Sequence, residues 1–197
     1  DNKIARTGFE NGIGIGVNDI VFLSSRDGIN FDRSFMEAFI RPGQDTENWR
    51  ERGIYLSRGI VQNSTGQMSL YAREHRFQAS THIRRYGLRT DGFVSMKATY
   101  GGGEMTTKPL IFDGDQLILN YSSSAVGYLK VEIQDIEGRP LQGLLISDNT
   151  EIFGDEIDGI VKWDGTSDLS KLSGQVVRLK FDIKDADLYA FQFTKAE

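Results

Sequence analysis

The stretch LILNYSSSAVGYLKVEIQ, residues 117–134, decides the fold class. At its start Leu117, Leu119 and Tyr121 face one way, and at its end Leu129, Val131 and Ile133 alternate with Lys130, Glu132 and Gln134. A period of two puts apolar side chains on one face and wetted ones on the other, which is how an antiparallel strand packed on one side reads. Downstream, Val177, Leu179, Phe181 and Ile183 alternate with Arg178, Lys180 and Asp182, and the run LYAFQF from Leu188 to Phe193 is too apolar for an edge left in water. Asp113-Gly114-Asp115 and Glu137-Gly138-Arg139-Pro140 read as turns, and Ser167 to Leu172, closed by Gly174, reads as a single helical turn. Residues 101–197 are therefore expected to form a β-sandwich.

Working outward, the first half keeps the strand signal in shorter runs. Asp19 to Ser24 leads through Arg26-Asp27-Gly28 to Ile29–Phe31, a hairpin signal. Gly53 to Val61 turns at Asn63–Gly66 into Gln67–Arg73, where Met68, Leu70 and Ala72 share one face and Ser69, Tyr71 and Arg73 the other. A third hairpin is expected from His82–Leu88 through Arg89-Thr90-Asp91-Gly92 to Phe93–Ala98. Successive hairpins make an antiparallel meander, the unit of propeller blades, although too few strands are present for a whole propeller. The 197 residues hold 22 Gly and only 3 Pro, with 7 Tyr and 12 Phe, a composition suited to many short strands. The fold class read from the sequence is all-β: a partial-propeller meander over residues 1–100, then the sandwich.

Charge supports that division. Residues 1–98 carry 14 basic and 11 acidic side chains, whereas residues 99–197 carry 9 and 17. The seam is expected near Tyr100–Gly103, where Gly101, Gly102 and Gly103 free the backbone. A net charge of −5 provides no global field for a phosphate backbone, so nucleic acid is not an expected partner. The absence of cysteine excludes disulfides and thiolate chemistry. No apolar run is long enough for a membrane span, and the start at Asp1 lacks the basic, apolar and small-residue pattern of a signal peptide. The chain is expected to be soluble, either mature or a cut piece.

The runs SSRDGINFDRSFMEAFIRPG (Ser24–Gly43), NWRERG (Asn48–Gly53) and LRTDGFVSM (Leu88–Met96) resemble the last part of the catalytic propeller in bacterial glycoside-hydrolase-like proteins of the five-bladed invertase and arabinanase type. GGGEMTTKPLIFDGDQLILNYSSSAVGYLKVEIQD (Gly101–Asp135), EIFGDEIDGIVKW (Glu151–Trp163) and VRLKFDIKDADLYAFQF (Val177–Phe193) resemble the β-sandwich that trails those propellers. The resemblance implies carbohydrate as partner and a secreted or periplasmic location. It also implies that the catalytic carboxylates, which lie upstream in such propellers, are not in this chain, so the chain reads as a C-terminal portion inactive in isolation. The unpaired blade edges are then expected to self-associate or to take a companion chain completing the propeller. The rival reading is a non-catalytic carbohydrate-binding or structural module.

Glycoside hydrolysis needs two facing carboxyls. Glu74, at a strand end beside His75 and Arg76, and Asp27 are the acids to nominate. Glu74 also reads as an ordinary surface partner for an Arg, and Asp27 as the turn residue of its hairpin, where the Ser25, Asp27, Gly28 and Phe31 pattern resembles a turn-stabilising motif of sialidase and hydrolase propellers. Trp49 with Arg50, Arg52 and Tyr55 suits a sugar subsite, because sugars stack their C–H faces on aromatic rings and accept fork-like bonds from Arg. Trp49 also suits a lid packing its loop onto the sheet. Substrate contact is accordingly expected at Trp49, Arg52 and Glu74. His75 and His82 read as solvent-facing, too few for zinc. The acids Asp155, Glu156 and Asp158, and Asp182, Asp185 and Asp187, read as solvated faces in preference to calcium loops. No metal or cofactor is expected.

Overall fold

The computed structural model describes residues 16–63 and 66–196. The protein is all-β, with every strand pair antiparallel and two short 3-10 turns among the described residues. The chain divides into two compact units, Asp1–Thr90 and Asp91–Glu197, so the division falls ahead of the glycine triplet. No helix among the described residues is long and apolar enough to cross a membrane.

In the first unit, β1 (Ile20–Val21) pairs with β2 (Ala38–Ile40). The connection between them is pinned by backbone bonds between Ser24 and Asp32. Inside that loop Asp27 organises the turn. Its Oδ1 accepts from the amides of Ile29 and Asn30, both at 2.8 Å, and its Oδ2 accepts from the Asn30 side chain at 2.6 Å. These donors, the Asn30 and Ile29 amides foremost, hold the Asp27 carboxyl well below the usual carboxylate range. A carboxylate stabilised in this way contributes to folding above the ordinary aspartate range and ceases to do so as pH falls through its lowered value. Asp27→Ala is expected to speed hydrogen exchange at the Ile29 and Asn30 amides while leaving the second unit untouched. Unchanged protection at both amides would refute the turn assignment.

The four-stranded sheet of this unit is built around β5 (Gln67–Glu74). β3 (Tyr55–Leu56) and β4 (Val61–Gln62) flank one edge and β6 (His82–Arg89) the other. Met68, Leu70 and Ala72 are buried, as their alternation predicts, and Glu74 continues the same face. Ser69, on the opposite face with Tyr71 and Arg73, is buried as well and accepts a 2.9 Å bond from Arg85 Nε. The expected turn residues Ser64 and Thr65 lie outside the described residues.

The expected third hairpin is corrected. β6 pairs along its whole length with β5, from Gln67↔Arg89 to Glu74↔His82, and the segment that follows leaves the unit. β7 (Met96–Ala98) pairs instead with β12 (Val176–Thr194), because Ala98 is buried in the second unit's core. The described residues of the first unit thus form a two-stranded and a four-stranded sheet, with no closed barrel or propeller.

The second unit is dominated by two 19-residue strands, β10 (Gln116–Gln134) and β12. They pair in two runs, Gln116–Ser123 with Ala186–Thr194 and Tyr128–Gln134 with Arg178–Lys184, separated by a register break between Ser123 and Tyr128. Leu117, Leu119 and Tyr121 from the first run share one core cluster with Leu129, Val131 and Ile133 from the second. A long ribbon bent at its middle thereby buries both halves in one core, within a single six-stranded sheet. Gly127 permits the bend: a Cβ there would lie 2.3 Å from the Asp185 carbonyl oxygen. Around this ribbon, β11 (Asp155–Ile160) adds to β10, while β7, β8 (Gly103–Thr106) and β9 (Leu110–Ile111) add to β12.

Candidate functional site

The chemistry-bearing side chains converge in the first unit, where the loop from Pro42 to Gly53 meets the end of β5. A 3-10 turn at Thr46–Trp49 is capped by Asp45, whose Oδ1 accepts from the Glu47 amide at 3.1 Å. Asn48 is buried behind it; its side-chain amide donates to Pro42 O and its Oδ1 accepts from the His75 amide, each at 3.4 Å. Gly53 allows the loop to close on itself, since a Cβ there would lie 2.9 Å from Asn48 Cα. Loop and strand end are therefore tied by groups 27 residues apart in sequence.

That tie brings three groups together. Among the described residues, Asp45, Glu74 and His75 each offer a donor atom within 4.8 Å of the other two. The His75 ring bonds Asp45 Oδ2 through Nε2 at 2.8 Å and Ser80 Oγ through Nδ1 at 3.0 Å. Hydrogen bonding from the His75 ring, and then from the Glu47 amide, holds the Asp45 carboxyl below its ordinary value. His75 is buried, which corrects the solvent-facing expectation, and it adopts a left-handed backbone (φ 53°) that a non-glycine residue keeps only when its surroundings hold it there.

Glu74 is wholly buried, not the surface strand-end acid. Its Oε1 accepts from the Tyr86 hydroxyl, and its Oε2 faces Arg84 Nε at 3.1 Å and His82 Nε2 at 3.4 Å. Burial first, and the bond to Glu74 second, push the Tyr86 hydroxyl up to about 12. Arg84 and Tyr86 were not singled out in the sequence and His82 read only as solvent-facing, yet their spacing of two on a strand placed opposite Glu74 is a readable signal once the β5–β6 hairpin is recognised.

Trp49 ends the same 3-10 turn but is not part of that cluster. It is half-buried, its indole N–H donates to Gly43 O at 2.7 Å, and it lines a cleft of about 440 Å³ with Asn18, Asp19, Ala38, Arg41 and Pro42. Arg41 has no ion-pair partner among the described residues, whereas Arg50 is engaged by Glu47 and Arg76 stacks on Tyr55 and Phe77. Of the expected contact residues, only Trp49 lines this cleft; Arg52 is exposed further along the same loop with φ 50°, and Glu74 belongs to the buried cluster. In the second unit, Asp187 accepts from Ser95 Oγ at 2.7 Å, Asp182 is approached by the Tyr128 hydroxyl, and Asp155 and Asp158 are exposed.

No protein-family model, curated protein or solved structure matches the chain.

Proposed function

We propose that this chain recognises carbohydrate without cleaving it, as a non-catalytic portion of a glycoside-hydrolase-like protein. The observation that carries the reading is the Trp49 cleft. Its volume is in the range of small-ligand sites, and an indole pinned by Gly43 O stands beside an Arg41 guanidinium with no ion-pair partner among the described residues. An immobilised ring loses little entropy when a sugar face stacks on it, and the Arg fork suits vicinal hydroxyls. Asn18 adds an oriented amide, because its Nδ2 donates to Ile54 O at 2.6 Å and its Oδ1 faces the Ile54 amide.

Catalysis is not part of the proposal because Glu74 is enclosed by Tyr86, Arg84 and His82, so it has no face to present to a glycosidic oxygen. Asp27 is committed to its turn.

The expected result is oligosaccharide binding of about millimolar affinity, roughly −4 kcal/mol, with amide shifts centred on the cleft. Trp49→Ala and Arg41→Ala should each weaken it, and hydrolysis of aryl glycosides and polysaccharides should be undetectable. Shifts confined to residues after Gly103, or turnover abolished by Glu74→Gln, would overturn the reading.

A further inference from the structure

Asp45, Glu74 and His75 share a construction that sugar recognition does not call for. Each has two heteroatoms, and each uses one of them on a fixing bond. Asp45 Oδ1 is held by the Glu47 amide, Glu74 Oε1 by the Tyr86 hydroxyl and His75 Nδ1 by Ser80 Oγ. The second heteroatom of Asp45 meets that of His75 at 2.8 Å, and one donor atom from each of the three residues lies within 4.8 Å of the other two. Outer bonds that lock one atom of a ligand and aim the other inward are how proteins orient metal-binding side chains.

A second observation points independently to a cation. Glu74 Oε2 is buried and accepts no hydrogen bond, although Arg84 Nε stands 3.1 Å away. His82 Nε2 approaches the same oxygen at 3.4 Å. The other nitrogen of that ring, Nδ1, lies 3.0 Å from the Ser80 carbonyl oxygen, which can only accept, so Nδ1 carries the proton. A buried carboxylate oxygen that accepts no hydrogen bond keeps its lone pairs free for a metal ion.

We propose that Asp45, Glu74 and His75 bind a divalent transition-metal ion of the zinc class, with His82 adjoining. One imidazole and two carboxylates, two of the three residues buried, make a nitrogen and oxygen donor set suited to such ions, and three protein ligands leave a coordination position open. Binding takes the Nε2 lone pair of His75, so the proton that Nε2 shares with Asp45 moves to Nδ1 in the neutral ring, or is released to solvent if the ring was charged. Ser80 Oγ can accept from Nδ1–H in either case. The Arg84 guanidinium competes for Glu74 Oε2, and because its side chain is half exposed it can withdraw into water.

The test uses the whole chain stripped with a chelator and titrated with Zn²⁺ against a chromophoric competitor, and with Co²⁺ as an optical probe. One equivalent is expected to bind at about micromolar Kd or tighter. Zn²⁺ should shift the His75 ring resonances and leave the Trp49 indole resonance in place, a readout in the unaltered protein that also separates this site from the sugar cleft. Ser80→Ala and Tyr86→Phe should each weaken binding about tenfold by releasing a fixing bond, and Asp45→Asn and His75→Asn should weaken it further. Asn is chosen at position 75 because it tolerates the left-handed backbone. Arg84→Gln should tighten binding, an effect that loss of structure would not produce. The proposal is overturned if the unaltered chain takes up no stoichiometric Zn²⁺, if Asp45→Asn and His75→Asn bind it as tightly as the parent, or if Arg84→Gln weakens it.

Discussion

Trp163→Ala is expected to cost the second unit about 3–5 kcal/mol, the range for deleting a fully enclosed large side chain. Trp163 has no exposed surface, and its indole N–H donates to Val131 O at 2.8 Å. It packs in the cluster that also takes Leu117 and Leu129 from the two runs of β10, so the cavity opens where the bent ribbon is held together. The surrounding strands cannot collapse into the space without losing register. Trp163→Phe refills most of the volume but removes the donor to Val131, and about 1–3 kcal/mol should be lost. The chain has two tryptophans, so in either variant the remaining Trp49 fluorescence reports the first unit alone, while circular dichroism follows both. An unfolding free energy from urea titration of the second unit that falls by less than about 1 kcal/mol in Trp163→Ala would contradict the enclosed packing of this residue in the core.

Glu74→Ala is the corresponding change in the first unit, with an expected loss of about 2–3 kcal/mol. That is below the 3–5 kcal/mol typical of breaking a fully buried pair, because Arg84 is half in water and can be rehydrated. Glu74→Gln keeps an acceptor for the Tyr86 hydroxyl and should cost less. The two variants also test the origin of the Tyr86 shift. In the folded chain that hydroxyl titrates at about 12, above the ordinary tyrosine value near 10. A group raised in this way contributes its full stability below about pH 10 and loses it as pH rises toward 12, since ionised Tyr86 would face the Glu74 carboxylate in a shielded site. The first unit should therefore weaken between those limits. In Glu74→Gln the Tyr86 titration, read as the difference in tyrosinate absorbance from Tyr86→Phe, should move down but remain above 10, because burial is the larger cause. A titration unmoved by Glu74→Gln would show that the carboxylate is not the partner.

Local periodicity carried much of this fold. Met68, Leu70 and Ala72 read as one face and are buried, and Asp27 read as a turn residue and accepts both amides of its turn. Leu117, Leu119, Tyr121, Leu129, Val131 and Ile133 read as two inward faces and occupy one core. Those inferences succeed because a side chain's direction on a strand, and the bonds of a tight turn, depend on neighbours within a few residues.

The cluster around Glu74 was only partly legible. Glu74 stood out as an acid beside a histidine, but nothing local places Asp45, 30 residues before His75, against its ring, or makes the strand of His82, Arg84 and Tyr86 the partner of β5. The third hairpin failed for the same reason: Phe93–Ala98 carries a strand pattern, yet a pattern does not name the strand it will pair with.

The sequence by itself therefore determined the all-β class, the inward faces and the Asp27 turn, since alternation and turn chemistry are short-range properties of the chain. Tertiary structure alone decided that β7 joins β12, that the two runs of β10 and β12 bend around Gly127 onto one core, and that Asp45, Glu74 and His75 meet at the end of β5. Those outcomes depend on closing long loops against the entropy of the chain, and the loss is recovered only when distant apolar faces and buried polar partners are satisfied together.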